Sequence, residues 1–266
     1  MKQKHLKILD IILLITLPLA AVGISLVIQA NYLLFTLLYF LPLIIYLSCR
    51  TPKVIMHVTI FSLIIALFGV TVVGYLVSLD HAWYVATIFP FRILGAATIE
   101  ELLWSFLCIY LIVIFHEHFF DKGKHKPVES HMRYLVYIIT ALLLFFLINV
   151  YMYSSQLLKI PYFYFWFDIV ALLIPLLLFL ISFPSTLSKF LKTLPYFIFL
   201  GIIHELTSLQ LGHWTFPGKH YIGWINILGY KFPYEEFLFI TILFVSAILV
   251  YYEFFDEDRK KLVRGK

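Results

Sequence analysis

Eight apolar runs dominate this sequence, and each is long enough to cross the core of a bilayer, which takes about 20 residues as a helix. Hydrophobic residues make up 62% of the chain and charged residues only 13%, against about 25% charged in a soluble domain. We therefore predict an all-α polytopic membrane protein, which excludes a soluble globular fold. The predicted helices are Ile8–Ala30, Tyr32–Leu47, Val54–Val77, Ile93–Phe115, Tyr134–Tyr153, Tyr164–Phe183, Phe190–Leu211 and Phe232–Tyr252.

The distribution of Lys and Arg predicts the orientation of these helices. With the N-terminus in the cytoplasm, only four of the twenty Lys and Arg residues fall in outer segments: Arg92, Lys159, Lys219 and Lys231. Cytoplasmic loops of membrane proteins carry the excess of these residues. We expect a multi-pass protein of the cell membrane with both termini cytoplasmic. The first run, followed at once by a second, is expected to be an uncleaved helix rather than a signal peptide.

Two pairs of adjacent glutamates stand near the start of apolar runs, Glu100-Glu101 in the first half and Glu235-Glu236 in the second. Burying a carboxylate in a membrane costs free energy, so each pair is expected to have a structural or functional role. An acidic first turn suits the helix dipole and Pro233 suits a first helical position, so capping is the structural interpretation. Because the pair occurs twice at matching places, we favour a functional role.

The two pairs also mark an internal repeat with an offset of 135 residues, and in each half the second Glu stands 20 residues before an Asp. The predicted repeats are residues 1–121 and 133–258, joined by a cytoplasmic linker at 122–132 and followed by a basic cytoplasmic tail at 259–266. Four helices in each repeat give both repeats the same orientation. Parallel repeats are related by an axis along the membrane normal, and ligand sites lie near their interface.

Three further polar residues lie in or beside apolar runs: His204, Glu205 and Asp168. Glu205 shares a helical stripe with Ser208 and Gly212, and ionisable residues within such a run usually face a cavity. We expect Glu205 to line a cavity, with a hydrogen bond to a neighbouring helix as the alternative. His204 suits a packing role equally well, and Asp168 suits an interfacial cap.

Aromatic residues make up 19% of the chain. The five tryptophans suit an interfacial belt, although Trp104, just after the first acidic pair, also suits an aromatic wall around a cationic intermediate. Cys49 and Cys108 lack metal-ligand spacing and are expected to be free packing residues. The sequence contains no P-loop and no Gly-rich dinucleotide fingerprint, so we expect neither a nucleotide cofactor nor a metal.

Together these motifs resemble the membrane-embedded, non-flavin lycopene cyclase family in its tandem-repeat form. That family has a twice-occurring Pro-x-Glu-Glu followed by Phe-rich residues, and upstream an acid and then Gly-x-Trp-x-aromatic. The second half carries Pro233-Tyr234-Glu235-Glu236-Phe237-Leu238-Phe239 and, upstream, Glu205 followed by Gly212-His213-Trp214-Thr215-Phe216.

The chain departs from the family pattern at three places. In the first half Thr98 stands in place of the proline, and Gly74 stands in place of the upstream acid. In the second half His204-Glu205 stands where the family usually has Trp-Asp. These departures bear on the identity of the substrate more than on membership of the family.

The resemblance implies a carotenoid cyclase, an intramolecular lyase of the isomerase class, that forms ionone-type end rings on a lycopene-type polyene. The reaction is a proton-initiated carbocation cyclisation with no net redox change. The apolar substrate would come from the lipid bilayer, no cofactor is implied, and association with other carotenoid enzymes is expected. The catalytic residues implied are Glu235, Glu236, Glu100, Glu101 and Glu205, and the substrate-binding residues implied are Trp104, Trp214, Phe239 and Pro233.

Other interpretations of the acidic pairs remain open from the sequence. A related isoprenoid cyclase or hydratase would use the same cation chemistry, and a non-catalytic protein that binds an isoprenoid would need the cavity alone. An intramembrane CAAX-type protease also has Glu-Glu and His-Glu motifs. That family expects an Arg four residues after its Glu pair, where this chain has Ser105 and Ile240.

Overall fold

The computed structural model describes residues 2–121, 130–152 and 158–255. Its first four helices are α1 (Lys2–Ile28), α2 (Tyr32–Arg50), α3 (Ile55–Phe68, Gly69–Val73 and Gly74–Asp80) and α4 (Ile99–His116, extended by Glu117–Asp121). The other four are α5 (Ser130–Met152), α6 (Phe163–Phe167, Asp168–Leu173 and Ile174–Ser182), α7 (Leu187–Gln210) and α8 (Tyr234–Leu238, Phe239–Leu243 and Phe244–Phe255).

Seven of the eight helices in the described part of the chain are long and apolar enough to cross a bilayer. The other, α5, contributes a shorter apolar stretch at Thr140–Val150. Large apolar side chains such as Ile11, Val27, Phe145 and Ile181 are exposed on the outside of the bundle, as in a surface that faces lipid. The prediction of an all-α polytopic membrane protein is confirmed, and its outer surface contacts membrane lipid.

Four of the helices contain a π-helical turn, in which the backbone hydrogen bonds span five residues instead of four. These turns are Gly69–Val73 in α3, Glu117–Asp121 in α4, Asp168–Leu173 in α6 and Phe239–Leu243 in α8. Such turns often lie at functional sites. The turns in α3 and α8 supply residues to the cavity described below.

The predicted starts of the fourth and eighth helices were wrong by several residues. Residues 93–97 form a tight loop closed by an Ile93–Ala97 bridge, with positive φ at Leu94 (52°) and Gly95 (73°). A helix cannot pass through such a backbone, so α4 begins at Ile99. Phe232 and Pro233 lie in a strand, and α8 begins at Tyr234.

Two pairs of short strands lie at the end of the bundle where α4 and α8 begin, which we call the motif side. β1 (Tyr84–Val85) comes from the loop after α3, and β2 (Trp214–Thr215) comes from the loop after α7. They pair antiparallel, with Tyr84 opposite Thr215, and so join the two halves of the chain. β3 (Trp224–Ile227) and β4 (Tyr230–Pro233) form a hairpin that leads into α8.

Side chains hold these loops to the helix ends. Asp80 at the end of α3 accepts hydrogen bonds from the Phe163 backbone N–H (3.3 Å) and from His220 Nδ1 (2.6 Å). The Tyr221 hydroxyl donates to the Ala82 carbonyl (2.6 Å). Burial raises the pKa of Tyr221 to about 12, so the phenol keeps its proton and remains a donor. These contacts cross between the halves and fix the motif side as one layer.

At the opposite end, which we call the far side, a buried polar cluster joins α4 to α8. His116 Nε2 lies 2.8 Å from Glu253 Oε1, and both side chains are fully buried. The Tyr252 hydroxyl donates to Glu117, and Lys189 Nζ on α7 lies 3.4 Å from Glu253. The Glu253 carboxyl thus packs inside the bundle against the imidazole of α4.

The two halves of the chain contact each other at both ends of the bundle. Glu117 and Tyr252, which are 135 positions apart as in the predicted repeat, contact each other on the far side. Tyr84 and Thr215, which follow matching tryptophans but are 131 positions apart, face each other on the motif side. The division into repeats stays a prediction, the tail at 259–266 lies outside the described residues, and α5 already begins within the predicted linker.

Candidate active site

A cavity on the motif side is bounded mainly by α2, α3, α4, α7 and α8, with β1 and β2 over its end. Its walls are mostly apolar and aromatic, and within the described residues no Lys or Arg lines it. Three carboxyl groups reach it, from Glu101 on α4, Glu205 on α7 and Glu236 on α8. The structure thus brings together acids that stand more than 100 positions apart in the sequence.

Glu101 is placed by a capping box at the start of α4. Thr98 Oγ1 accepts from the Glu101 N–H (3.0 Å), and the Thr98 N–H donates to Glu101 Oε2 (2.6 Å). Trp83 Nε1 donates to the other oxygen, Oε1, at 2.9 Å. Thr98, which stands where the resembling family has proline, is therefore the residue that orients this carboxyl.

Glu236 lies on the first turn of α8, where its Oε2 accepts from the Tyr164 hydroxyl at 2.6 Å. Trp214 Nε1 donates to Glu205 Oε1 at 3.0 Å. Glu205 and Glu236 therefore both reach the same apolar cavity, each held by an aromatic side chain. Two acids in one apolar cavity form an arrangement that can hold and deliver a proton.

The first Glu of each pair turns away from the cavity. Glu100 accepts from the Thr87 hydroxyl (2.8 Å) and from the Ile88 N–H (2.9 Å), and Glu235 accepts from the Ile222 N–H (2.7 Å). Neither residue lines the cavity. Adjacent helical positions point about 100° apart, so only one member of each pair can face inwards. Glu100 and Glu235 hold the preceding loops against the helix starts.

The residues predicted to bind substrate divide in the same way. Trp104, Trp214 and Phe239 line the cavity, whereas Pro233 is buried at the N-cap of α8 and does not. Pro233 fixes the direction in which the chain enters the helix. Pro233 thus contributes to the site by positioning Glu235 and Glu236, which follow it in the first turn of α8.

Aromatic rings form a close cage around His204, beside the carboxyl groups. The ring centroids of Phe35 and Tyr39 lie 4.9 and 5.1 Å from that of His204, and those of Trp214 and Trp104 lie 5.5 and 6.1 Å away. Ring faces attract cations, so such a cage suits a positively charged intermediate. Cys108 lines the cavity, and both cysteines are free, as predicted. The predicted packing role is wrong for Cys49, which is exposed.

Two residues of the site were missed or undervalued from the sequence. Tyr164 was read only as the start of a helix, although it stands four residues before Asp168 and shares its helical stripe. That polar stripe in an apolar run was the available signal. Trp83 was read as an interfacial residue, and its bond to Glu101 depends on a loop that the sequence does not predict. Asp168 is buried on α6 but does not line the cavity.

Across residues 2–121, 130–152 and 158–255, no group of three His, Cys, Asp or Glu side chains could hold a metal ion. The cavity lining supplies carboxyl groups and aromatic rings. No family model, no curated protein and no solved structure matches this chain. The geometry of the cavity alone supports the function proposed next.

Proposed function

We propose that this protein is a membrane-embedded cyclase that forms ionone-type end rings on an acyclic, lycopene-type polyene by acid–base chemistry. The observation that carries the proposal is the convergence of Glu101, Glu205 and Glu236 on one apolar, aromatic cavity. A cavity with such walls suits a hydrocarbon chain, and carboxyl groups are the groups that can move a proton to and from it.

The first step in the proposed reaction is delivery of a proton to the terminal double bond. The Glu205–Glu236 pair is the proton donor, because both acids reach the same apolar cavity, where neighbouring carboxyl groups hold a proton more readily than two negative charges. The Tyr164 hydroxyl keeps the Glu236 side chain in place at 2.6 Å. The new C–H bond leaves a tertiary carbocation on the neighbouring carbon.

Ring closure and proton loss complete the reaction. A nearby double bond of the same chain attacks the cation, which forms the ring bond and moves the positive charge into the ring. Glu101 is the base that removes the ring proton, since its two oxygens accept hydrogen bonds from the Trp83 and Thr98 N–H groups, which stabilise a carboxylate. The electrons of the broken C–H bond restore a double bond, so the product is an isomer of the substrate.

The aromatic walls protect the cation during these steps. Rings from Trp104, Trp214 and Phe239 line the cavity and present electron-rich faces to a positive charge. An apolar lining also keeps water away, and water would otherwise add to the cation and give an alcohol. In the same proposal the protein lies in the cell membrane with both termini in the cytoplasm, which cysteine labelling from each side would test.

The proposal is tested by expressing the protein in cells that accumulate lycopene and separating the pigments by chromatography. We expect monocyclic or bicyclic products from wild type, and at least a 100-fold loss (about 10²–10⁴ for a general acid or base) in Glu236→Gln, Glu205→Gln and Glu101→Gln. Glu100→Gln is the matched control, because it is a buried Glu on the same helix turn that lies off the cavity.

Two outcomes would overturn the proposal. If well-expressed wild type leaves lycopene and other acyclic carotenoids unchanged, the cyclase function fails. If the three cavity variants keep the activity of Glu100→Gln, the assignment of the acids fails. Retention of bound polyene without any new product would instead indicate a carrier protein.

A further inference from the structure

The cavity contains two ring nitrogens without a hydrogen-bond partner among the described residues, Nε1 of Trp104 and Nε2 of His204. Both atoms are buried, both side chains line the cavity, and their ring centroids are 6.1 Å apart. Most buried polar atoms in proteins are paired, so two orphans side by side need an explanation.

The other indoles of the cavity show that this is a local feature. Trp83 Nε1 donates to Glu101, and Trp214 Nε1 donates to Glu205. Trp104 is the cavity tryptophan whose N–H has no carboxyl partner in the described part of the chain. It stands three residues after Glu101, and therefore about one helical turn away along the same side of α4.

The surroundings of His204 are apolar on several sides. Phe35, Phe40 and Trp214 contribute rings whose centroids lie within 5.5 Å of the imidazole centroid. The His204 side chain is only 5% exposed. A purely hydrocarbon ligand would leave both nitrogens unpaired in this environment, and an apolar site of that kind would be better served by Phe at both positions.

We propose that the ligand carries one neutral oxygen atom, a hydroxyl or a keto group, and that Trp104 and His204 bind it. This proposal rests on the proposed function, because it names the class of polyene that the same cavity accepts. The indole N–H can only donate, whereas an imidazole nitrogen can donate or accept. A hydroxyl would accept from Trp104 and donate to His204, and a keto oxygen would accept from both.

The charge of the cavity determines which oxygen group fits. A carboxylate or phosphate would bring negative charge beside Glu101, Glu205 and Glu236, and no Lys or Arg among the described residues lines the cavity to offset it. A neutral oxygen avoids that repulsion. The substrate class inferred is thus an acyclic polyene with an alcohol or ketone near the end that enters the cavity.

The test compares lycopene with its 3-hydroxy derivative, which differs by one hydroxyl and keeps both double bonds of the end group that the proposed reaction uses. Binding of each pigment to the purified protein in nanodiscs is followed by the shift of its visible absorption. We expect wild type to bind the hydroxylated pigment about 10- to 100-fold more tightly, because a site built for a hydroxyl leaves its own polar groups unpaired with an analogue that lacks it.

Variants then assign the preference to the two nitrogens. Trp104→Phe and His204→Phe should each bring the affinity ratio of the two pigments down towards one, chiefly by weakening the hydroxylated pigment. His204→Gln keeps a donor and an acceptor and should retain the preference. Phe40→Leu is the control. It replaces one apolar side chain of the ring cage around His204 by another and changes no hydrogen-bonding group, so it should affect the binding of both pigments equally.

Equal binding of both pigments by wild type, or equal loss for both in Trp104→Phe and His204→Phe, would overturn the inference. If His204→Phe fails to fold, as judged by gel filtration, Trp104→Phe and His204→Gln still decide the matter. If the protein converts lycopene but binds both pigments equally well, the oxygen site is refuted and the cyclase function stands. If it binds the hydroxylated pigment more tightly but converts neither pigment, the oxygen site stands and the cyclase function is refuted.

Discussion

Within each Glu-Glu pair the two carboxyl groups have different neighbours and different tasks. Glu100 and Glu235 accept backbone N–H groups from the loop before their own helix, at Ile88 and Ile222. Glu101 and Glu236 face the cavity. Since a buried acceptor that loses its partner is costly, the first Glu of each pair stabilises the fold that positions the second.

Adjacent helical residues cannot face one direction, but the sequence could not tell which glutamate of each pair faces inwards. That depends on the first residue of the helix, and a helix from Ile93 would have given no capping role to Thr98. The loop at residues 93–97 is apolar, and the predicted helix therefore included it wrongly. Placement of a side chain in a membrane site is therefore sensitive to an error of a few residues.

His213 gives a prediction at the same scale, outside the membrane-spanning segments. Its Nε2 donates to the Ala30 carbonyl at 2.9 Å, and its ring packs against Tyr32 and Phe35. Burial lowers the pKa of His213, and the hydrogen bond to Ala30 only partly opposes this. Between the lowered pKa and the unfolded value of about 6.5, the unfolded chain binds more protons.

Stability should therefore fall as the pH drops below about 6.5, and His213→Gln should show a flatter dependence because it keeps a donor but does not titrate. Melting temperatures in detergent between pH 5 and 8, compared at each pH, measure the difference. His81→Asn, at an exposed position with φ of 55°, is the control and should follow wild type. Identical slopes for wild type and His213→Gln would refute the prediction.

At the level of elements, the contact between α7 and the π-helical turn of α8 is close. A Cβ placed on Gly201 would come within 2.5 Å of the backbone oxygen of Ile240, which lies in that turn. Glu205 stands one turn further along α7, and Glu236 lies just before the π-helical turn. The absence of a side chain at Gly201 thus sets the distance between the two helices that carry Glu205 and Glu236.

Gly201→Ala should destabilise the protein by about 1–3 kcal/mol, the usual cost of overpacking, and should reduce product formation by separating Glu205 from Glu236. Gly23→Ala on α1 is the matched control, because no atom lies within 4 Å of its Cβ position. That change should be neutral or slightly stabilising. The comparison needs only thermal melting in detergent and pigment analysis. A Gly201→Ala protein as stable and active as Gly23→Ala would show that the helices can move apart freely.

The helices themselves could be predicted well, because membrane-spanning runs are long and have few alternatives. The strands could not. β1 and β2 have two residues each and pair across 131 positions, from Tyr84 to Thr215, so neither a local pattern nor a turn signal marks them. The sequence-based prediction assigned most of the β3–β4 hairpin to a polar loop, and it assigned the last residues of β4 to the start of the final helix.

At the level of the whole molecule, the two halves are joined at both ends of the bundle. β1 and β2 connect them on the motif side, and His116 and Glu253 connect them on the far side. The helix count could be predicted from the sequence, but these contacts between the halves could not, because they depend on which helices become neighbours. The cavity carboxyls come from both halves, so these contacts also hold the site together.

Glu253→Ala should lower stability by about 3 kcal/mol, the scale for breaking a buried ion pair, because His116 and Lys189 both contact this carboxylate. Pigment binding by the protein that remains folded should be unchanged, since Glu253 does not line the cavity. Lys192→Ala, at an exposed position of α7, is the control. A large loss of pigment affinity in folded Glu253→Ala would show instead that the far side communicates with the cavity.

The strand pair over the motif side also determines how the amount of substrate should be counted. Trp83, Val85 and Trp214, in or beside β1 and β2, line the cavity on the motif side. A polyene of the proposed kind would enter sideways, from the acyl chains. Its binding would then depend on the number of pigment molecules per lipid molecule, and not on the pigment concentration in the whole sample. Fusing pigment-free vesicles into the membrane would lower that ratio. Turnover would slow even though the total volume and the amount of pigment stay the same.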